Sequence, residues 1–499
     1  ENPHPTDVVK VALVAEAPSG VTLRIRRVGF VPLPHFNTQV PDDEKDGLGH
    51  VPGLVPDPLF DETQAAIAPG ETVPFWVSVQ TRPSMAPGRH VLPLRIERDG
   101  ITAARLNAPI RVHPIVARPR RRFPVVQWFY IDSLLDWYRL QPFEERFWTI
   151  LAAYMANLPA HGQDTIYTPV FTPPLDGVKR PSQLLHVRRR GTRYDFNWSQ
   201  VERYVDLAQR QGIRNFEWTH FFTQWGVRNA IRIYEGHGET ESLLWPADTA
   251  ATSPIYRRFL AQFLPQLHAF IRRHKIADRS FFHVSDEPHG DEPLANYKAA
   301  RAILKELAPW MKTMDALSEI VYGRDRVTDM PIPSIQVTKA FYDEKIPCMT
   351  YFCCGPRGTY LNRLMDTPLA KIRMSGWLFY RFKALGFLHW GYNYWYQSQT
   401  RNLINPFAES SGLAWPGWAY GDTFVVYPGP QGPIDSIRWE IFGLSLQDYA
   451  LLQNLNVDPE GNLLKPFRDF NDFPKNREWF FSARKRLLTR VVSKTNRSQ

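Results

Sequence analysis

Two acidic residues stand side by side in the stretch FFHVSDEPHGDE, residues 281–292. Phe281, Phe282 and Val284 read as a short buried strand, with Asp286 and Glu287 at its end. Pro288, His289 and Gly290 stop that strand, and residues 291–309 read as a helix. A carboxylate pair at the C-terminal tip of a strand that leads into a helix is where a (β/α) barrel places its reactive groups. Cleavage of a glycosidic bond needs two such groups, one protonated and one ionised. Successive strand residues face opposite sides. Both can therefore serve one site only where the strand ends or bulges, and Pro288 marks such a place.

Two schemes stay open from the residues alone. In a double displacement the acid at strand four works with a nucleophile at strand seven. The expected strand seven, CMTYFCCGPRG, carries no carboxylate, so Glu217 or Glu319 would have to supply it. In the other scheme a 2-acetamido group on the sugar attacks the anomeric carbon. Asp286 would then orient that amide, and Glu287 would protonate the leaving oxygen and afterwards activate water.

Other side chains are candidates for contact with a substrate. Trp390, Tyr392 and Trp395 lie on the expected strand eight, where alternation puts Trp390 and Tyr392 on one face. Trp218 and His220 end strand three, Asp315 ends strand five, and Tyr351 on strand seven is placed to bond an acetamido oxygen. Trp128 and Tyr130 on strand one are weaker candidates. His283, Asp286, Glu287, His289, Asp291 and Glu292 include metal-ligand types but lack a closed ligand spacing. Neither a metal nor a cofactor is expected. Arg438 and Glu440, in a helix near the C-terminus, read as a structural ion pair.

The elements that must hold these groups follow a change of rhythm. Residues 1–117 read as strands only, punctuated by PSG, APGET, SMAPGRH and RDG, the pattern of a β-sandwich. A polar loop, residues 34–63, interrupts it, and HVPGLVPDPLF within that loop is apolar enough to dock on a neighbouring domain. The basic run RPRRR, residues 118–122, marks a linker. From residue 123 strands alternate with helices. VVQWFYI, DTIYTPV, RNFEWTHFF, FFHVSDEP, KTMDALS, PSIQVTKAF, CMTYFCC and FLHWGYNYW make eight strands, which predicts a (β/α)8 TIM barrel over residues 123–400. Residues 401–499 form a C-terminal helical and β extension that packs on it. The fold class is therefore multidomain α/β.

Composition limits the function classes. The 499 residues are 43% hydrophobic, enough for a full core across two or three domains. A net charge of +10 permits anionic partners. The two Arg clusters, residues 118–122 and 188–190, belong to no nucleic-acid reading motif, so no nucleic-acid partner is expected. No apolar run is long enough to insert in a membrane. Cys348, Cys353 and Cys354 make neither a disulfide framework nor a zinc spacing and read as a reduced cluster. The chain opens without Met, which suggests a trimmed protein, and export to a bacterial periplasm or exterior is expected.

SDEP after an aromatic strand, GFLHWGYNYW, and YPGPQGPIDSIRWEIFGLSLQDYALL together resemble glycoside hydrolase family 123 and its broader relatives. The PDPLF segment is similar as well, and the likeness runs from about residue 33 to 455. The resemblance implies a β-sandwich followed by a (β/α) barrel. It implies a retaining, exo-acting β-N-acetylgalactosaminidase that uses the substrate's acetamido group, with a glycan as its partner. Asp286 matches the amide-stabilising Asp and Glu287 the general acid/base. Phe442, Gly443 and Leu444 stand where the family usually has Arg-Asp-Gly, the mark of a divergent branch. Two alternatives stay open: hydrolysis of a non-acetamido glycan with another carboxylate beside Glu287, and glycan binding without catalysis.

Overall fold

The computed structural model describes residues 1–45, 51–175, 180–236, 241–411 and 417–495. Residues 46–50 of the expected 34–63 loop therefore lie outside the described residues.

The N-terminal region is two antiparallel sheets. One has the spatial order Gln64–Ile67, Val9–Ala15, Gly88–Arg98, Ile101–Val112. Its last hairpin turns at Asp99 and Gly100, both at positive φ (49° and 82°), as a tight two-residue turn demands. The RDG signal was read correctly for that reason. The other sheet holds Gly53–Phe60, Val21–Leu33 and Phe75–Thr81 in order. Here the expectation of a loop over residues 34–63 is corrected. GLVPDPLF is a paired strand, because alternate residues Val55, Asp57 and Leu59 are buried.

The same sheet is completed from far along the chain. Val426–Pro428 and Pro433–Ser436 form a hairpin whose second strand pairs with Gly53–Phe60. Ser436 then caps the helix Ile437–Asn454, its hydroxyl accepting the Trp439 N–H at 3.1 Å. This helix is buried on several sides, so the apolar stripe at Ile437, Ile441, Leu444 and Ala450 understates what it covers. The expected ion pair between Arg438 and Glu440 does not form. Arg438 makes a bidentate contact with Asp57 (3.1 Å to each oxygen), and Glu440 pairs with Arg26. Side chains of i and i+2 diverge on a helix, so each finds a separate partner in the N-terminal sheet. Cutting one member of such a buried pair costs about 3–5 kcal/mol.

The remaining strands are parallel and short. Six lie in the order Ser280–Phe281, Asn215–Trp218, Thr165–Thr168, Val125–Gln127, Phe387–His389, Thr350–Tyr351. Met314–Asp315 and Met330–Pro331 make a further parallel pair. Single parallel bridges, Phe282 with Thr313 and Ser334 with Tyr351, join that pair to the two edges of the six. Helices such as Glu145–Ala160, Ser199–Arg210, Pro254–Arg273 and Asp291–Leu307 separate the strands in sequence and pack against them. Most strand residues are buried on both faces, which is why they read as continuous apolar runs.

One expected strand is a helix. PSIQVTKAF was read as strand six from its β-branched residues, but Ile335–Asp343 is helical. Ser334 accepts the Gln336 N–H at 3.4 Å as N-cap, and Ile335, Thr338 and Phe341 make a three-residue repeat on the buried side. The sixth parallel segment is Met330–Pro331, just before it. Among the described residues, no helix is long and apolar enough to cross a membrane.

Candidate active site

The strand Ser280–Phe281 runs on through residues 282–285 to the acid pair. Glu287 has φ of +42°, a left-handed conformation unusual for a side chain of its size. That turn breaks the alternation, and both Asp286 and Glu287 line one pocket. Such a conformation costs about 1–3 kcal/mol and persists only where its surroundings determine it. They do. The Trp225 N–H donates to the Asp286 carbonyl at 2.8 Å, and the Phe222 N–H to the Val284 carbonyl at 2.9 Å. The Tyr351 hydroxyl donates to Glu287 Oε1 at 2.5 Å. Burial first, and then the Glu287 charge, raise the Tyr351 phenol well above its usual range, so it stays a donor.

The pocket has a volume of about 150 Å³. Its walls are aromatic: Trp128, Trp225, Trp390, Trp418, Tyr351 and Tyr394. Cys353 and Cys354 also reach it, with sulfurs 3.8 Å apart. Asp286 and Glu287 are the only carboxylates among the described residues that line it. Flat indole faces beside a carboxyl pair suit a ligand with apolar C–H faces and a polar edge.

A buried charged cluster lies under the acid pair. His283 Nε2 meets Glu217 Oε1 at 2.5 Å, and its Nδ1 meets Asp315 Oδ1 at 3.2 Å. Burial opposes a charge on this ring, but the flanking carboxylates prevail and push its pKa up to about 10. His283 is therefore an imidazolium at neutral pH. The Trp128 indole N–H also donates to Glu217 Oε1, at 2.9 Å. His220 stacks on His283 with centroids 4.1 Å apart and accepts or donates to the Tyr167 hydroxyl at 3.0 Å. His220, His283 and Asp315 place ligand-type atoms within 4.8 Å of one another. Both nitrogens of His283 are spent on carboxylates, however, and stacked rings do not aim their lone pairs at a common point. The geometry is that of a clamped imidazolium.

A second charged group lies behind the tryptophan wall. Trp390 donates to Asp422 Oδ2 at 2.9 Å, and His389 Nε2 lies 3.5 Å from Asp422 Oδ1. Burial pushes the Asp422 carboxyl up to about 7. Gly391 is required beside Trp390, because an added Cβ would stand 2.0 Å from the Asp422 carbonyl.

The model of the glycoside hydrolase 123 catalytic domain matches residues 128–455. The chain belongs to glycoside hydrolase family 123. The fold agrees. A family 123 glycoside hydrolase from Clostridium perfringens, described for glycolipid glycan hydrolysis, superposes with a TM-score of 0.72 at 12% identity, over 99% of this chain and 91% of that one. The GH53 catalytic domain from Ignisphaera aggregans reaches a TM-score of only 0.37 at 11% identity, over 66% of this chain and 99% of that one. No curated relative matches the sequence.

In this family 123 enzyme the residues singled out from sequence divide in two. Asp286, Glu287, Tyr351 and Trp390 meet at the pocket. Trp218, His220, Asp315, Tyr392 and Trp395 do not line it and are buried. The strand Phe387–His389 ends before Trp390, so alternation no longer links Trp390 to Tyr392. Tyr392 turns inward and donates to Asn157 Oδ1 at 2.9 Å, and Trp395 donates to the Val426 carbonyl at 3.1 Å. Trp218 packs edge-on against Phe270 of the following helix. His220 and Asp315 belong to the cluster beneath the pocket. Glu217 is buried there too, and neither it nor Glu319 lines the pocket.

Trp225, Tyr394 and Trp418 were missed. They sit in irregular segments where no periodicity reports the direction of a side chain.

Proposed function

We propose that this glycoside hydrolase is a retaining, exo-acting β-N-acetylgalactosaminidase working by substrate-assisted catalysis. One observation carries the proposal. Among the described residues the only carboxylates that line the pocket are adjacent, and none of the others stands opposite to act as an enzymic nucleophile. A retaining enzyme without that partner needs a nucleophile from the substrate, and a 2-acetamido carbonyl is one.

In this mechanism Asp286 orients the acetamido N–H and stabilises the charge that develops as the carbonyl oxygen attacks the anomeric carbon. Glu287 gives its proton to the leaving oxygen as that oxygen's bond to the anomeric carbon breaks; the aglycone departs, and the sugar stays bound as an oxazolinium ion whose N–H Asp286 holds. Glu287 then takes a proton from water as that water opens the ring. Tyr351 holds Glu287 in place between the steps. A pocket of about 150 Å³ with aromatic walls suits one terminal sugar, which supports exo action. The parallel pairings and the helices between them support a (β/α)8 barrel over residues 123–400, and the two antiparallel sheets support a β-sandwich before it.

The test is cleavage of a panel of aryl glycosides. The aryl 2-acetamido-2-deoxy-β-galactoside is expected to be hydrolysed with retention and to be inhibited by a thiazoline analogue. Glu287→Gln is expected to lose roughly 10²–10⁴-fold in kcat, and Asp286→Asn a comparable factor. Cleavage of a non-acetamido glycoside in preference to the acetamido one would overturn the reading.

A further inference from the structure

We infer that Asp315 is a positioning residue for Glu287, because its one carboxylate gathers the last donors of the strand that leads to it. The inference rests on the reading of Glu287 as the general acid. The regular pairing of this strand stops at Ser280–Phe281, and a single bridge, Phe282 with Thr313, follows. Beyond it the backbone N–H groups of residues 284 and 285 have left the ladder. Asp315 takes them. Val284 N–H donates to both of its oxygens (3.1 and 3.3 Å) and Ser285 N–H to Oδ1 (3.3 Å). His283 Nδ1 reaches Oδ1 at 3.2 Å, and the Tyr297 hydroxyl donates to Oδ2 at 2.5 Å.

Burial pushes the Asp315 carboxyl up, and the His283, Tyr297 and Val284 donors oppose that shift by favouring its ionised form, which accepts about four hydrogen bonds and donates none. Here all its partners are donors, so no neutral side chain of the same shape can replace it. Three consecutive residues, 283–285, are thereby fixed immediately before the chain enters the left-handed turn at Glu287. Displacing a catalytic group by about 1 Å can cost about 10²-fold in rate. Asp315 touches neither the pocket nor a substrate in it. Its effect on catalysis passes through the backbone.

The test uses the leaving-group dependence of the full-length enzyme. Two 2-acetamido-galactosides are compared, one with a poor alkyl or methylumbelliferyl leaving group and one with a dinitrophenyl group that needs no protonation. Asp315→Asn places an amide N–H₂ against the donors and releases the tip. For the poor leaving group, kcat is expected to fall roughly 100-fold, the scale of lost acid catalysis. For the dinitrophenyl substrate it is expected to fall far less, with KM nearly unchanged for both. A loss of folded protein would lower both rates by one factor. Equal falls, or no fall, would overturn the inference.

Should Asp315→Asn not fold, Tyr297→Phe removes a single donor. It is expected to give a smaller fall with the same leaving-group bias, and an unbiased result there overturns the inference too. So does a stoichiometric metal in the purified protein whose removal abolishes cleavage, since Asp315 would then be a ligand. The two readings fail separately. If Glu287→Gln cleaves the poor substrate at the wild-type rate, the proposed function falls. If Glu287→Gln is dead while Asp315→Asn matches wild type, only this inference falls.

Discussion

Two buried charged clusters flank the pocket and are built on opposite plans. Under the acid pair, His283 lies between Glu217 and Asp315, and every polar side-chain atom of His283 and Asp315 is engaged, while Glu217 Oε2 and His220 Nε2 at its edge have no hydrogen-bond partner among the described residues. Behind the tryptophan wall, Asp422, His389 and Arg363 are close but poorly paired. Arg363 uses Nη2 on Gln127 at 2.8 Å, while its Nε and Nη1 have no hydrogen-bond partner among the described residues. His389 Nδ1 accepts the Gly391 N–H at 2.9 Å, and burial holds its ring neutral. A carboxylate on each side fixes the charge of His283. Asp422 has no ion pair with Arg363 among the described residues, and burial pushes its carboxyl up to about 7. The first plan gives rigidity, which an acid pair in a strained turn requires. The second gives a group whose charge changes close to neutral pH, one hydrogen bond away from a pocket wall.

The contrast can be broken most forcefully at His283. His283→Leu leaves Glu217 and Asp315 buried without their cation and is expected to cost about 3–5 kcal/mol of unfolding free energy. Denaturant melts at pH 7 would measure it. The wild-type contribution has a defined window. The folded pKa of about 10 lies above the ordinary 6.5, so the stability is fully present below 6.5 and is lost as pH rises through about 10. A loss no larger than that of a surface substitution would mean that the imidazolium is not pinned.

Asp422 sharpens the comparison at a smaller scale. Its carboxyl is raised from 3.8 to about 7, so the folded state holds a proton that the unfolded chain has released. Stability from this group is present at acid pH and is lost as pH rises through about 7. The total is at most about 4 kcal/mol, less as the site relaxes. The difference between wild type and Asp422→Asn, followed in melts from pH 4 to pH 8, isolates the slope, because the amide cannot titrate. Parallel curves would show that Asp422 is as firmly fixed as His283.

The smallest expected effect is at the wall itself. Trp390→Phe removes the indole N–H and part of one stacking face while keeping a ring. It is expected to raise KM by roughly tenfold or less, as a loss of about 1 kcal/mol of aromatic contact implies, with kcat little changed. A fall in kcat alone would place Trp390 in the chemistry.

Much of this arrangement was legible in the chain. The acid pair, its Pro stop and the following helix are local features, and they stand where they were expected. Trp390 and Tyr351 reach the pocket because each lies at or just past the end of a parallel strand. Tyr392 and Trp395 do not, because alternation was carried past the end of the strand that supports it. PSIQVTKAF was misread because β-branched residues weigh toward a strand, while the Ser334 cap and the buried i, i+3 side weigh toward a helix. Asp315 was expected at the substrate, yet it faces the neighbouring strand tip. Its residue type and place on a strand end were right, but nothing in the one-dimensional pattern says which neighbour a strand end faces.

Sequence alone determined the local features: turn residues at Asp99 and Gly100, apolar runs of doubly buried strands, and two carboxyl groups at a strand end. These depend on backbone preference and on burial patterns a few residues long. Tertiary structure decided that both carboxyl groups share one pocket, that no third one among the described residues joins them, and that His283 is charged while His389 is not. Those outcomes depend on groups brought together across 30 or more positions, such as Glu217 and Asp315 around His283. Low dielectric there makes each missing or added partner decisive.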